Sequence, residues 1–445
     1  MYLNRNKNTT SWGNYPQVDA LSQFIEREKD VNSLDMTKKL IARGLGRSYG
    51  DSALSKSIVN LEKNDYFISF SNEGILECTA GVSLESIISV FSTRGWFLPV
   101  TPGTKYVTVG GAIASDVHGK NHHADGVFSD HVESFRIFTG EEILECSKSV
   151  NPDLFYATCG GMGLTGIILT VTLRLLKIHS SYIIQSQTRA SNFEDLMRLF
   201  EGSESEKYTV AWIDCLSKGE HLGRGVMISG EHATYDDLLG TKMQENPLKL
   251  CKSFPAKIPF NFPSFALCSE SVYLFNQLYF NKPSSELDRA LTTFDPFFYP
   301  LDFVSDWNKI YGARGFVQYQ FVVPMKSSKK AIQEILERVS DKGIASFLAV
   351  LKLFGKESEG YLSFPMRGYT LALDFPIMEG LFEFLDELDK IVLDANGRLY
   401  LTKDARMSAD TFHKSYKNVN KFKSVVQKYG CDRFFKSLQA KRLGL

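Results

Sequence analysis

The sequence predicts a mixed α+β protein of more than one domain, and three observations carry that prediction. The chain has 445 residues, more than one hydrophobic core ordinarily organises, so two or three domains are expected. Residues 58–180 alternate between strand-like and helix-like patterns. From about residue 186 the texture changes, and 315–324, 344–354 and 369–376 read as strands.

Taken in order, Leu40-Ile41-Ala42 is a short apolar strand and Ile75–Gly81 another. Ser83 can cap a helix from Leu84 to about Thr93, with Leu84, Ile87, Ile88 and Phe91 on one face. Ser134–Thr139 and Ile143–Cys146 flank Gly140-Glu141-Glu142, a hairpin signal. Asp153–Thr158 reads as a short helix, and Ile167–Leu175 as a strand alternating through Leu169, Val171 and Leu173. Between them Gly161 to Gly166 fits G-x-G-x-x-G. A dinucleotide fingerprint needs a strand before it and a helix after it. Here the order is reversed and no acid follows about twenty positions on, so a Rossmann reading is rejected.

Beyond residue 186, Tyr208–Asp214 is strand-like. Residues 245–306 are rich in Phe, Pro and Tyr, Phe260, Phe265, Tyr273 and Phe298 among them, with little periodicity. Lys329–Val339 and Met378–Asn396 read as helices, the second ended by Gly397.

The composition, 43% hydrophobic and 23% charged, is that of a globular protein with sizeable cores. A formal net charge of zero, without runs of like charge, removes the electrostatic case for nucleic acid. The seven cysteines, Cys251 among them, are odd in number and lack a C-x-x-C pair. That argues against a disulfide framework or structural zinc and for a reducing compartment. Residues Met1–Lys7 are polar and lack the apolar core of a signal peptide, and no run of eighteen apolar residues occurs. A cytoplasmic protein is expected, with peripheral membrane contact left open.

Two glycine-rich loops carry the functional signal. In Ala42-Arg43-Gly44-Leu45-Gly46-Arg47-Ser48-Tyr49-Gly50-Asp51, three glycines fall within seven residues just after a strand. Such a loop lets the backbone approach a ligand and can turn consecutive N–H groups toward an anion. Arg43, Arg47 and Ser48 suit a pyrophosphate. The second loop runs from Pro102-Gly103-Thr104 through Thr108-Val109-Gly110-Gly111 to Ser115-Asp116-Val117-His118-Gly119-Lys120.

At these loops the chain resembles the FAD-linked oxidases of the vanillyl-alcohol oxidase superfamily, and within it the branch that oxidises polyprenylphosphoryl ribose. The resemblance continues in order through GGMGLTGI (160–167), GFVQYQFVVP (315–324), FLAVLKLFGK (347–356), LYLTKDAR (399–406) and the terminal KRLGL. It implies a two-part FAD-binding domain over residues 1–185, an antiparallel-sheet substrate or cap domain over 186–396, and a C-terminal return to the FAD domain over 397–445.

Carried across by position, the resemblance puts Ala42 to Ser52 around the FAD diphosphate. It puts Gly103, Thr108, Val109, Gly110, Gly111, Ser115, Asp116, Val117 and His118 along the other side of the cofactor. Tyr400 would contact the cofactor from the C-terminal return, and Ile167 would meet its adenine side. Where relatives with covalently attached flavin carry a histidine before the serine of the first loop, this chain has Arg47, so the FAD is expected to be non-covalent.

For the chemistry, the resemblance implies Lys403 and His118 beside the flavin, and Lys120, Gln318, Gln320, Lys352, Thr370 and Ala372 at the substrate. Read alone, Lys403 is a solvated lysine; only the resemblance reverses that. Gln318 and Gln320 share one strand face, with Tyr319 opposite. Lys352 amid apolar strand residues is costly unless paired or facing a ligand, and a sugar phosphate would suit it. Thr370 and Ala372 replace the Asn and Cys of the best-known members, so inhibitors aimed at that thiol should form no adduct. His118, His122, His123 and His131 lie among acids, but Gly119 and Asn121 disfavour a ligating helix, and no metal is expected.

The expected activity is FAD-dependent oxidation of the 2′-hydroxyl of a polyprenylphosphoryl-β-D-ribose. A separate short-chain reductase using NAD(P)H would then give the arabinose lipid. A soluble alditol, an aldonolactone or another lipid-linked sugar is the alternative substrate. A flavin-fold binding protein without catalysis is a third reading, and both loops with Lys120 and Lys403 together argue against it.

Overall fold

The computed structural model describes residues 4–250, 255–263, 267–282, 284, 286–344, 346 and 348–445. Cys251 and Phe265 lie outside them. Among the described residues no helix is long and apolar enough to cross a membrane.

Two main sheets, with a two-stranded pairing of Trp96–Phe97 and Leu176–Lys177 besides, are built from the first part of the chain. A four-stranded sheet orders Asn4–Thr9, Val18–Phe24, Ser57–Asn60 and Ile41–Arg43. Its last three strands run parallel, so the first glycine loop leaves from the carboxyl end of a parallel strand, the usual ligand side of such sheets. A five-stranded antiparallel sheet orders Phe67–Phe70, Ile75–Thr79, Ile167–Arg174, Val132–Phe138 and Ile143–Ser147. The hairpin around Gly140 forms as read, and Gly140 takes the left-handed φ of +110°. The Leu84–Phe91 helix is capped by Ser83, whose Oγ accepts from the Ser86 N–H. Its buried face is Leu84, Ile87, Ile88 and Phe91, the four positions its periodicity indicated. The Gly161–Gly166 turn lies between the Pro152–Thr158 helix and the Ile167–Arg174 strand, an order incompatible with dinucleotide binding.

The second part forms an eight-stranded antiparallel sheet. Its order is Leu287–Thr293, Tyr182–Ala190, Gly225–His232, Tyr208–Ile213, Ala349–Phe354, Gly368–Pro376, Phe316–Pro324 and Arg398–Leu399. Helices Phe193–Gly202, Met325–Lys342 and Leu381–Asp394 pack on this sheet. Tyr319 faces the Leu381–Asp394 helix, beside Asp389 and Arg406. Strand alternation then sends Gln318, Gln320, Thr370 and Ala372 into a cavity on the opposite face.

Three expectations need adjusting. The strand read over 344–354 begins at Ala349, because Gly343 ends the preceding helix at φ +66° and Ser346 uses its Oγ to accept from the Asp374 N–H. The helix read over Lys329–Val339 runs Met325–Lys342. The aperiodic 245–306 stretch holds the Ser269–Asn281 helix, the Leu287–Thr293 strand and the Phe294–Phe298 helix. Aromatic residues spread around the Ser269–Asn281 helix hid its period, and Leu287–Thr293, which has no aromatic residue, is only partly buried and lacks a clear alternation.

Candidate active site

A cavity of about 800 Å³ opens between the two glycine loops and the inner face of the eight-stranded sheet, large for a small-molecule site. A groove of about 410 Å³ between the Phe193–Gly202 and Met325–Lys342 helices is different in kind. Its lysines are already paired, Lys218 with Asp341 and Lys329 with Glu194.

The first loop is held from three sides. The Trp12 N–H donates to the Ser48 carbonyl (2.9 Å) and the Tyr49 N–H to the Thr402 carbonyl (3.0 Å). Arg43 donates to the Thr10 carbonyl at 2.6 Å. Below the loop, Arg442 donates to both oxygens of Asp51 (3.1 and 2.7 Å) and to Asp404 (2.8 Å). Burial raises the Asp51 pKa against that pairing, whereas at Asp404 burial opposes and Arg442 and Arg406 lower it. The C-terminal helix is thereby tied to the glycine loop and to the residue after Lys403. Gly46 adopts φ +66°, a left-handed conformation. A Cβ on Gly44 would overlap Thr108 of the second loop, so glycine is what lets the two loops touch.

The wall fits the phosphate-bearing part of FAD. Ser48 Oγ is buried at the cavity without a hydrogen-bond partner among the described residues. A Cβ added to Gly103 would meet only open space, so that backbone faces the cavity bare. Arg47 stacks over Trp12 at 4.0 Å and faces Asp302 and Asp306 across the cavity.

At the other end three lysines and a histidine converge. Lys120, Lys352 and Lys403 all line the cavity with His118. Burial, with Lys352 nearby, lowers Lys120 to about 7, and burial lowers Lys352 to about 8. Burial also lowers Lys403; Asp374 opposes the shift and Lys352 adds to it. His118 is pushed well below its usual value by burial and then by Lys352, His122 and Lys403, so it stays neutral. Phe354, Phe364 and Tyr400 surround its ring. Gln320 places its amide nitrogen 3.3 Å from both His118 Nε2 and Thr370 Oγ1. Gln318 donates to Asp374 Oδ1. Lys403 Nζ stands 3.5 Å above the Tyr49 ring centroid, a cation–π contact that a buried ammonium can use.

Most residues named from the sequence therefore meet at one cavity. On its wall lie Ala42 to Tyr49, Ser52, Gly103, Thr108, Gly110, Gly111, Ser115, Val117, His118 and Tyr400. Lys120, Gln318, Gln320, Lys352, Thr370, Ala372 and Lys403 complete it. Five others lie behind the wall. Gly50 packs on the Asp404 carbonyl, Asp51 pairs with Arg442, and Val109 is core. Asp116 accepts from Ser358 and Ser363, and Ile167 pairs with Phe138 while its neighbour Ile168 reaches the cavity. Sequence reasoning missed Trp12, Asp302, Asp374 and Arg442. The alternation Thr370, Ala372, Asp374 could have found the third; the others meet the site only through long-range contacts. Among the described residues no group of three or more His, Cys, Asp and Glu could hold a metal ion.

Residues 34–147 match the model of an FAD binding domain. The decaprenylphosphoryl-β-D-ribose oxidase of Mycolicibacterium smegmatis is 37% identical over 99% of this chain and 98% of its own length. The D-arabinono-1,4-lactone oxidase of Yarrowia lipolytica is 27% identical over 44% of this chain and 37% of its own. The L-gulonolactone oxidase of Bos taurus is 25% identical over 45% and 47%. The first match runs the length of both chains, whereas the lactone oxidases match less than half of each.

Proposed function

The chain belongs to the family of FAD-binding oxidases that includes decaprenylphosphoryl-β-D-ribose oxidase, and from that premise we propose that it oxidises the 2′-hydroxyl of a polyprenylphosphoryl-β-D-ribose to the 2′-keto sugar. The observation that carries this reading is the convergence of Lys120, Lys352 and Lys403 on a cavity whose remaining wall is largely apolar. Buried lysines call for an anion, and a sugar phosphodiester on an isoprenoid tail supplies one beside a greasy chain. A soluble lactone or alditol offers these lysines no phosphate.

FAD, when bound, accepts the hydride from the sugar carbon. The chain's residues do the rest. Lys120 and Lys352 hold the phosphate and fix the ring. Gln318 and Gln320, side by side on one strand face, orient sugar hydroxyls. Lys403 Nζ takes the proton of the reacting hydroxyl, a role its lowered proton affinity suits. The ammonium so formed then offsets the negative charge that develops beside it. Neutral His118 and Tyr400, whose hydroxyl donates to the Ser115 carbonyl at 3.0 Å, keep this end dry and rigid.

Finer parts of the reading follow from the same residues. Arg47, where covalently flavinylated relatives carry histidine, supports non-covalent FAD; acid precipitation should leave all the flavin in the supernatant. The ketone would be reduced from the opposite face by a separate short-chain NAD(P)H-dependent enzyme. Trp212, Ile228, Phe275 and Tyr279 form an apolar exit for the tail. On the outer side of the Ser269–Asn281 helix Tyr273, Leu274 and Leu278 are exposed by 53%, 60% and 65%, a surface that suits peripheral contact with a bilayer.

The test is turnover of a short-chain polyprenylphosphoryl-β-D-ribose with a soluble quinone, followed by mass spectrometry. A product lighter by two hydrogen atoms is expected. Unchanged lipid alongside turnover of a lactone or alditol would replace this substrate.

A further inference from the structure

The mechanism above gives Lys403 a proton to hold in a cavity already crowded with positive charge, and one buried acid has no assignment. Asp374 is the cross-strand partner of Gln318 and is wholly inaccessible to solvent. On the Gly368–Pro376 strand it continues the row of Thr370 and Ala372, both of which line the cavity. One carboxylate oxygen accepts from the Gln318 amide, and the backbone N–H of Asp374 is fixed to Ser346 Oγ at 2.8 Å. Its other oxygen, Oδ2, is buried without a hydrogen-bond partner among the described residues. A purely structural buried carboxylate should satisfy both oxygens.

We propose that Asp374 is a positioning residue of the reaction, the counter-charge for the proton that Lys403 Nζ takes from the substrate hydroxyl and the anchor that orients the Gln318 amide. The proposal rests on the functional reading of Lys403 given above. Burial raises the Asp374 pKa, and the Gln318 hydrogen bond and Lys403 oppose that rise; in its ionised form the carboxylate can only accept, so Gln318 turns its nitrogen to Asp374 and its oxygen away from it. That oxygen is left for a sugar hydroxyl, while the hydrogen bond of the same amide to Tyr49 lowers that phenol's pKa against its burial. Tyr49 in turn lies under Lys403 Nζ, which links acid, amide, phenol and ammonium in one buried cluster. Around Lys403, Lys352 and His118 disfavour a proton or leave it unpaired, and Asp374 favours it. Around Asp374 the other titratable groups are Tyr49 and Tyr311, both neutral because burial raises them well above their usual range. Removing the carboxylate therefore leaves the proton on Lys403 with no opposing charge.

The first test needs no substrate. Titrating the visible spectrum of the oxidised holoprotein between pH 5 and 10 should show a step that is absent in Lys403→Met. In Asp374→Asn, which is isosteric, that step should move down by about one pH unit or more. In Asp374→Glu it should return toward the wild-type position. A step unmoved in D374N, no step in the wild type, or the same step in K403M overturns the proposal. A second measurement stands even if D374N does not fold. By reciprocity, Lys403→Met should protonate Asp374 and add a buried carboxylic-acid band to the infrared spectrum; an unchanged carboxyl region overturns it. With substrate, the low-pH limb of anaerobic flavin reduction should follow the spectral step downward. If wild-type flavin is not reduced by the lipid-linked ribose while the titrations behave as stated, the substrate reading fails and the Asp374–Lys403 coupling stands.

Discussion

At the scale of single residues, the site is defined by where charge is buried. Lys120 and Lys352 keep depressed proton affinities because the cavity removes them from water. An anion that binds there should pull protons back onto them. At pH 8, calorimetry of a polyprenylphosphate in buffers of different ionisation enthalpy should register proton uptake, reduced in Lys120→Met; proton release, or no exchange, would refute the assignment. The same shift has a stability consequence. Lys120 in the unfolded chain stays protonated up to about pH 10.4, whereas in the folded protein it loses its proton near 7. Between those values the unfolded chain binds more protons, so stability rises with pH over that window. Unfolding free energies of wild type relative to K120M should therefore climb from pH 7 to 10 in protein stripped of FAD. A flat or falling difference would contradict the burial of that ammonium.

Elements bring these residues together, and the sequence shows some of them better than others. The Ser83-capped helix, the Gly140 hairpin and the alternation of Gln318 and Gln320 are written in local patterns of period and turn chemistry, and all three are found in the structure. The Gly44–Thr108 contact and the Arg442 clamp are not local. Arg442 meets Asp51 across 391 positions, and nothing in the neighbourhood of either residue advertises the pair. Lys403 fails for a similar reason. Its own neighbourhood reads as a solvated helix-end lysine, and the cavity it lines is closed by strands distant in sequence. The clamp should be costly to break, because Arg442→Met leaves two largely buried carboxylates facing each other. A loss of about 3 kcal/mol is expected, together with faster release of FAD measured by fluorescence; a variant that keeps both stability and flavin would show the clamp to be incidental.

Over the whole molecule, the 245–306 stretch does more than present the exposed apolar face of the Ser269–Asn281 helix. Asp295 pairs with Lys105 at 2.6 Å, Tyr299 hydrogen-bonds Thr101 at 2.7 Å, and Asp302 accepts from the Lys105 N–H at 3.0 Å. These contacts latch it to the second glycine loop, so deleting the whole segment would disturb the FAD site along with any membrane contact. The finer test is Leu274→Ser with Leu278→Ser on the outer face of the Ser269–Asn281 helix. The pair should abolish co-sedimentation with phospholipid vesicles at unchanged flavin content; undiminished sedimentation would place the membrane-facing surface elsewhere. Whether FAD and a phosphate-bearing sugar share this one cavity can be read from a single spectrum. Purified holoprotein should be mixed anaerobically with one equivalent of a short-chain polyprenylphosphoryl-β-D-ribose. The flavin absorption should bleach in proportion to the sugar added, and a phosphate-free riboside should leave it unchanged. A yellow protein that stays yellow with the lipid-linked ribose, or one that bleaches equally well without the phosphate, would contradict the proposed function.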